Sequence, residues 1–273
     1  MKYNKRLIAC FIFTISIIVW NIQAQKPIYF KNKLPIFSQT LDSLGLKGSI
    51  IIYDLHADIY YSNDSIYNAI KFLPASTFKI LNAMLAIELG IVKDTNRIFK
   101  WHGEKYPVKA WEKDMNFKAA FHASCVPCFQ QIAREIGILN MKKYLSLAQY
   151  PIPIINAKNL DNFWLNGKGF ISINDQIAWF KKFYLRQLPF KNSTYDLMHV
   201  ILQYEAESTT YTLKAKTGLV HNGLGWFVGI IESKTPYIFA LNLQTKTSEY
   251  AANLVNYRKI LALLAFKELG FIE

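Results

Sequence analysis

Metal-ligating residues are sparse in this chain. A zinc site takes about four ligands, and the five histidines, His56, His102, His122, His199 and His221, form neither an H-E-x-x-H motif nor a close pair. Cysteine is scarcer, with three in 273 residues, and only Cys125 and Cys128 stand together, in HASCVPCF (122–129). Their C-x-x-C spacing suggests a redox dithiol, yet such a dithiol follows a strand early in a βαβ unit. This pair lies mid-chain, in a helix-like stretch running to Gly137, where two sulfurs identify no chemistry. In an exported protein they are free to oxidise. Their expected role is that of two small buried side chains on either side of Pro127.

Acidic residues are also few, 19 against 32 basic ones, for a net charge of +13. That balance attracts anions in general. Nucleic acid is not an expected partner, because the lysines are dispersed instead of clustering with exposed aromatics in a recognisable module. The chain opens with Lys2, Lys5 and Arg6 ahead of an apolar stretch from Leu7 to Trp20, short of the roughly 20 residues of a membrane span. Ala24 then sits where a signal peptidase cuts. Residues 1–24 therefore read as a cleaved export signal to the periplasm, leaving no stable membrane anchor. Cys10 follows the charged residues too closely for a lipoprotein site. The leader removes three of the 32 basic residues and no acids, so 29 remain against 19, a charge of +10.

Internal repeats and linkers rich in Gly or Ser are absent, while 52% hydrophobic and 15% aromatic content is enough for a full core. A single catalytic domain is expected over 25–273. GSIIIYDLHADIYYS (48–62) reads as two apolar runs around a polar turn, a hairpin signal. From about 77 to 202 the pattern is mostly helical, beginning TFKILNAMLAIELG, where Ile80, Met84, Ile87 and the closing Gly90 suit an amphipathic helix. TYTLKAKTG, GLGWFVGIIES and PYIFALNLQ then return to strands, before a helix over about 249–269 closed by Gly270. The expected class is α/β: an antiparallel sheet flanked by helices (about 25–75 and 205–273) plus a mostly helical lobe (about 76–204), with the active site in the cleft between them.

The chemistry begins at PASTFKI (74–80). Pro74 suits the approach to a helix whose first turn would hold Ser76, near unpaired N–H groups. Lys79 falls on the same helical face. A serine needs a base within hydrogen-bond reach to become a nucleophile, and a lysine is a base only when neutral, which burial achieves. Taken alone S-x-x-K is weak, although of the fourteen serines only Ser76 has lysine three residues on. Lys216-Thr217-Gly218 strengthens it. A strand end bearing a cation, a hydroxyl and a glycine can hold a carboxylate-bearing acyl substrate, and S-x-x-K with K-T-G is the pairing of penicillin-recognising serine enzymes. Such enzymes place a second polar residue between the two motifs, in contact with the catalytic lysine, and Ser124 fills that position.

FLPASTFKILNAMLAIELG, Ser124-Cys125-Val126 followed by PCFQQIAREIG, FWLNGKGFISINDQ, and KAKTG with GWFVG together resemble a class D, oxacillinase-type serine β-lactamase, from about Gly48 to Gly270. The resemblance implies that Ser76 is acylated and that Lys79 is carboxylated on its amine by carbon dioxide or bicarbonate, the only co-reactant expected, to serve as general base. It implies that the Trp164 indole meets the carbamate, that Val126 walls the modified lysine, and that Ser124 relays protons and contacts substrate. It places the oxyanion hole at the Ser76 and Leu219 amides, and the substrate carboxylate on Arg258 beside Lys216, Thr217 and Gly218. No metal is expected, and the partner is a small β-lactam; oligomeric state is open.

One departure stands out. Where the family usually has Tyr-Gly-Asn, this chain has Tyr150-Pro151-Ile152, and proline removes a backbone donor. Only Tyr150 is carried over. The loop from Val220 to Leu224 is expected to shape substrate preference. The alternative function is a non-hydrolytic β-lactam sensor or penicillin-binding protein acylated on the same serine.

Overall fold

The computed structural model describes residues 30–31, 34–151, 154–204, 208–220, 223–245 and 253–273. The expected export signal, His221 and Ile152 lie outside the described residues. In chain order the elements are β1 (Phe30–Lys31), α1 (Pro35–Ser43), β2 (Leu46–Asp54), β3 (Ile59–Ser62), α2 (Lys79–Glu88), β4 (Ile98–Phe99), β5 (Met115–Asn116), α3 (Phe117–His122), α4 (Val126–Leu147), α5 (Ile173–Tyr184), α6 (Asn192–Leu202), β6 (Thr212–Val220), β7 (Leu224–Glu232), β8 (Pro236–Thr245) and α7 (Leu254–Glu268). A 3-10 turn, Ala75–Phe78, leads directly into α2.

The main sheet has the order β1-β3-β2-β8-β7-β6. All its pairings are antiparallel except that of β1, which runs parallel to β3 at the edge. The central strands read as continuous apolar runs because both sheet faces are covered. Side chains in β2 alternate accordingly: Ile50 and Ile52 enter one core with Leu261 and Phe266 of α7, while Ile51 and Tyr53 enter the other with Met84 of α2 and Phe129 of α4. The second core joins the sheet to the helical lobe. The K-T-G motif sits on β6, the last strand. Among the described residues, apart from one bridge between Gln203 and Lys214, β6 has a strand neighbour on one side only.

One local expectation is corrected and one is met. The helix α2 is not amphipathic: Lys79 through Ala86 are all buried, because it runs between the sheet and the helical lobe. A helix apolar all round is a core helix, and its polar members Lys79 and Asn82 must find partners inside. The helix-like stretch expected to run to Gly137 does stop there: Gly137 is non-helical (φ 75°, ψ 160°), and a second helical segment follows it to Leu147, the two together spanning α4.

Candidate active site

Ser76 lies in the 3-10 turn and Lys79 opens α2, so their side chains leave the same face of adjoining turns. Lys79 Nζ donates to Ser76 Oγ at 2.8 Å. The lysine is fully buried, and desolvation lowers its pKa from 10.5 to about 7. Near neutrality much of the amine is therefore uncharged and able to accept the Ser76 proton. The Phe129 ring centroid, 5.6 Å from Nζ, supplies part of that apolar setting.

Long-range contacts hold the Ser76 turn. Ala75 N donates to Trp164 O at 3.0 Å, Trp226 Nε1 to Leu73 O at 2.9 Å, and Gln176 Nε2 to Thr77 Oγ1 at 2.9 Å. Thr77 Oγ1 in turn donates to Pro74 O at 2.7 Å. Ala75 takes a left-handed φ of 50°, a cost for a residue with a Cβ that the surrounding contacts must sustain. Strand β6 approaches this turn closely at Gly218. A Cβ there would lie 3.1 Å from Pro74 O and 3.3 Å from Ala75 Cβ, so glycine is what brings K-T-G beside the serine.

Lys216 is 2% exposed. Burial lowers its pKa well below 10.5, with further repulsion from Lys79 and Arg258. Its Nζ donates to Ser124 Oγ and, at 3.1 Å, to Thr217 O. The contact expected between Ser124 and Lys79 is thus replaced by one between Ser124 and Lys216. Arg258, 5% exposed, donates from Nη1 to Gly218 O and from Nη2 to Val255 O; burial lowers its pKa to about 10. Its Cδ would be 3.0 Å from a Cβ at Gly225, so a second glycine admits it beneath the sheet edge. Neither Lys216 nor Arg258 has an acidic partner among the ion pairs of the described residues. Buried N–H donors with no carboxylate partner, gathered at a half-open strand edge, are a site for an anion, whose arrival would also favour their charged forms. Thr217 is half-buried and Leu219 exposed, so this edge faces solvent.

Trp164 is fully buried and stacks on Phe78 at 5.3 Å. Its indole Nε1 has no hydrogen-bond partner, and an indole can only donate. Tyr150 packs edge-on to Phe78 at 5.8 Å and to Trp179 at 5.7 Å. Its buried hydroxyl, whose pKa burial raises, also lacks a partner. Val126, half-buried, is the first residue of α4. Among the described residues no group of three or more His, Cys, Asp or Glu side chains could hold a metal ion.

The cysteines are buried as expected, and the question of oxidation that the sequence left open has an answer: Cys125 and Cys128 form a disulfide. Cys125 caps α4 with extended ψ, and its Sγ accepts from Cys128 N at 3.2 Å, which brings the two side chains of the first turn together. Gln176 and Trp226 were not singled out by the sequence. Trp226 stands in the quoted GWFVG and Gln176 in FISINDQ, but nothing local shows that either reaches the nucleophile turn.

A nucleophile with a buried base, a donor-rich strand edge and a buried arginine behind it define a penicillin-recognising serine enzyme, and residues 53–262 match the penicillin binding protein transpeptidase domain family. The β-lactamase OXA-5 of Pseudomonas aeruginosa is 34% identical over 76% of this chain and 79% of its own. The regulatory protein BlaR1 of Bacillus licheniformis is 30% identical over 76% of this chain but 35% of its own. The crystal structure of a class D β-lactamase from Sebaldella termitidis superposes with a TM-score of 0.84 at 30% identity, covering 91% of this chain and 100% of that one. The chain belongs to the class D β-lactamases. It is a serine enzyme that hydrolyses β-lactams. No helix of the described residues is long and apolar enough to cross a membrane.

Proposed function

We propose that Ser76 opens the β-lactam ring of penicillin-type antibiotics and carries the acyl group, with Lys79 as the base of both half-reactions. The observation that carries this is the 2.8 Å contact between Ser76 Oγ and a fully buried Lys79. In the first half-reaction Lys79 Nζ takes the Ser76 proton as Oγ bonds to the lactam carbonyl. The Ser76 and Leu219 amides receive the developing oxyanion; Gly218 supports this by letting β6 close on the Ser76 turn. Lys216, Thr217 and Arg258 bind and orient the substrate carboxylate, the anion that donors without a carboxylate partner call for. Ser124, bonded to Lys216, passes a proton toward the departing lactam nitrogen. Hydrolysis of the acyl-serine then needs a base for water.

Carbon dioxide fits this site: the amine is neutral in part at pH 7, Val126 adds an apolar wall, and the Trp164 N–H is an unused donor for an anion. Bound as a carbamate on Lys79, it would supply a base stronger in charge than the amine alone. Export to the periplasm, where the antibiotic meets its targets, completes the proposal.

Mass spectrometry of the protein mixed with a penicillin tests it. The expected result is a transient adduct on the peptide containing Ser76 together with ring-opened product. An adduct that persists for hours without product would instead support a sensor, the reading that the likeness to the regulatory protein favours.

A further inference from the structure

We propose that Cys125 and Cys128 are positioning residues: their disulfide closes the first turn of α4 and so holds Ser124 in the backbone conformation that sets its hydroxyl on Lys216. The proposal rests on Ser124 taking part in the reaction as described above.

Ser124 has a φ of 52°, in the left-handed region that a residue with a Cβ occupies only when its surroundings require it. On the N-terminal side the requirement is met by hydrogen bonds. Ser124 N donates to Phe121 O at 3.1 Å and Cys125 N to Ala120 O at 2.9 Å, which ends α3, while Trp111 Nε1 holds Ala123 O at 2.9 Å. On the C-terminal side the usual device is missing. A helix N-cap is ordinarily a side-chain oxygen accepting from the amide two or three residues on. Here the cap is a sulfur, a weak acceptor, facing Cys128 N at 3.2 Å. Pro127 has no N–H, so the Cys128 amide is the one donor of this turn that a cap can serve. The Cys125–Cys128 bond joins cap and third residue covalently, where a capping box would use two hydrogen bonds. Closing a loop this short constrains little of the unfolded chain; its effect is local, on the turn that begins one residue after Ser124.

The pair is buried, Cys125 at 0% and Cys128 at 6% exposure. Cys125, Pro127 and Cys128 line a cavity of about 170 Å³ with Trp101, Tyr106 and Trp111 on its other walls.

The test is a mutant cycle on a penicillin, with kcat and KM measured separately for the full chain. Cys125→Ala/Cys128→Ala should lose about 5- to 10-fold in kcat/KM, with the same division between kcat and KM as Ser124→Ala. Added to Ser124→Ala, the cysteine pair should cost less than about 2-fold more, as expected for residues acting through one another. Cys125→Ser/Cys128→Ala should regain most of the loss, because a serine oxygen caps the Cys128 position's amide. If the alanine pair does not fold, reduction of the disulfide with a phosphine, in the wild-type and Ser124→Ala proteins, runs the same cycle. An equal loss in both backgrounds, or none in either while Ser124→Ala is impaired, would overturn the positioning role alone. Unimpaired turnover by Ser124→Ala would overturn the role of Ser124, and the positioning role with it.

Discussion

Two buried lysines face this site, and the contrast between them shows how one residue type takes two tasks. Lys79 is set in an apolar wall, with Ser76 Oγ as its hydrogen-bond partner. Lys216 is as deeply buried but gives its protons to two acceptors, Ser124 Oγ and Thr217 O, and lies beside Arg258. Burial depresses both pKa values. A poorly solvated amine with one partner is ready to act as a base or to react with carbon dioxide. An amine fixed by two acceptors on a strand edge is a donor held for an anionic ligand. What surrounds each Nζ, more than depth alone, divides the work.

The contrast can be broken at several points. Ser76→Ala should lower turnover by about 10⁴-fold or more without changing the fold, because it removes the atom the base serves; retained hydrolysis in a spectrophotometric assay would refute the nucleophile. Lys79→Met should slow acylation, leave whatever acyl-enzyme does form without turnover, and also stabilise the protein. The folded pKa of Lys79, about 7, lies below its unfolded value of 10.5, so between those pH values the unfolded state holds more protons and wild-type stability rises with pH. The burial penalty is full below about pH 7 and gone above about pH 10.5. The gain from Lys79→Met, up to about 5 kcal/mol by this linkage, should therefore be largest in acid, and urea titrations at pH 6 and pH 9 compare the two. A gain independent of pH would mean that Lys79 is not neutralised by burial.

Lys216→Ala, by contrast, should act on substrate binding. Loss of charge-assisted hydrogen bonds worth about 1.5–3 kcal/mol corresponds to roughly a 10- to 100-fold fall in kcat/KM, with an acyl-enzyme that still turns over; accumulation of adduct as in Lys79→Met would erase the division of tasks. Smallest is Trp164→Phe, which removes one donor and keeps the stack on Phe78. It should raise the bicarbonate concentration needed for half-maximal activity by about 10-fold, and an unchanged requirement would remove the indole from the site.

The readable parts of this site were the local ones. Ser76 and Lys79 are three residues apart in one helical turn, and Lys216-Thr217-Gly218 share a strand end, so spacing alone brought each set together. The sheet and helical lobe followed from apolar runs that change period. What the sequence hid depends on contacts made across the fold. Gln176 and Trp226 reach the nucleophile turn from 99 and 153 residues away. Helix α2 looked amphipathic from the spacing of Ile80, Met84 and Ile87, yet the polar Lys79 and Asn82 are buried as well. Ser124 meets Lys216, 92 residues away, from a left-handed backbone conformation, and no local pattern announces either. The question of a Cys125–Cys128 bond stayed open for a related reason: the non-helical cap at Cys125, beside which the two sulfurs meet, is invisible in the C-x-x-C spacing.

The central claim is that a buried, partly neutral Lys79 is the base of the reaction and takes up carbon dioxide to complete it. Its most direct test is the rate of hydrolysis of a chromogenic cephalosporin in degassed buffer, with and without added bicarbonate, at pH values on either side of 7. The account predicts a rate that declines without bicarbonate, falls further below pH 7 as the amine protonates, and recovers when bicarbonate is restored. A rate indifferent to bicarbonate at every pH would contradict it.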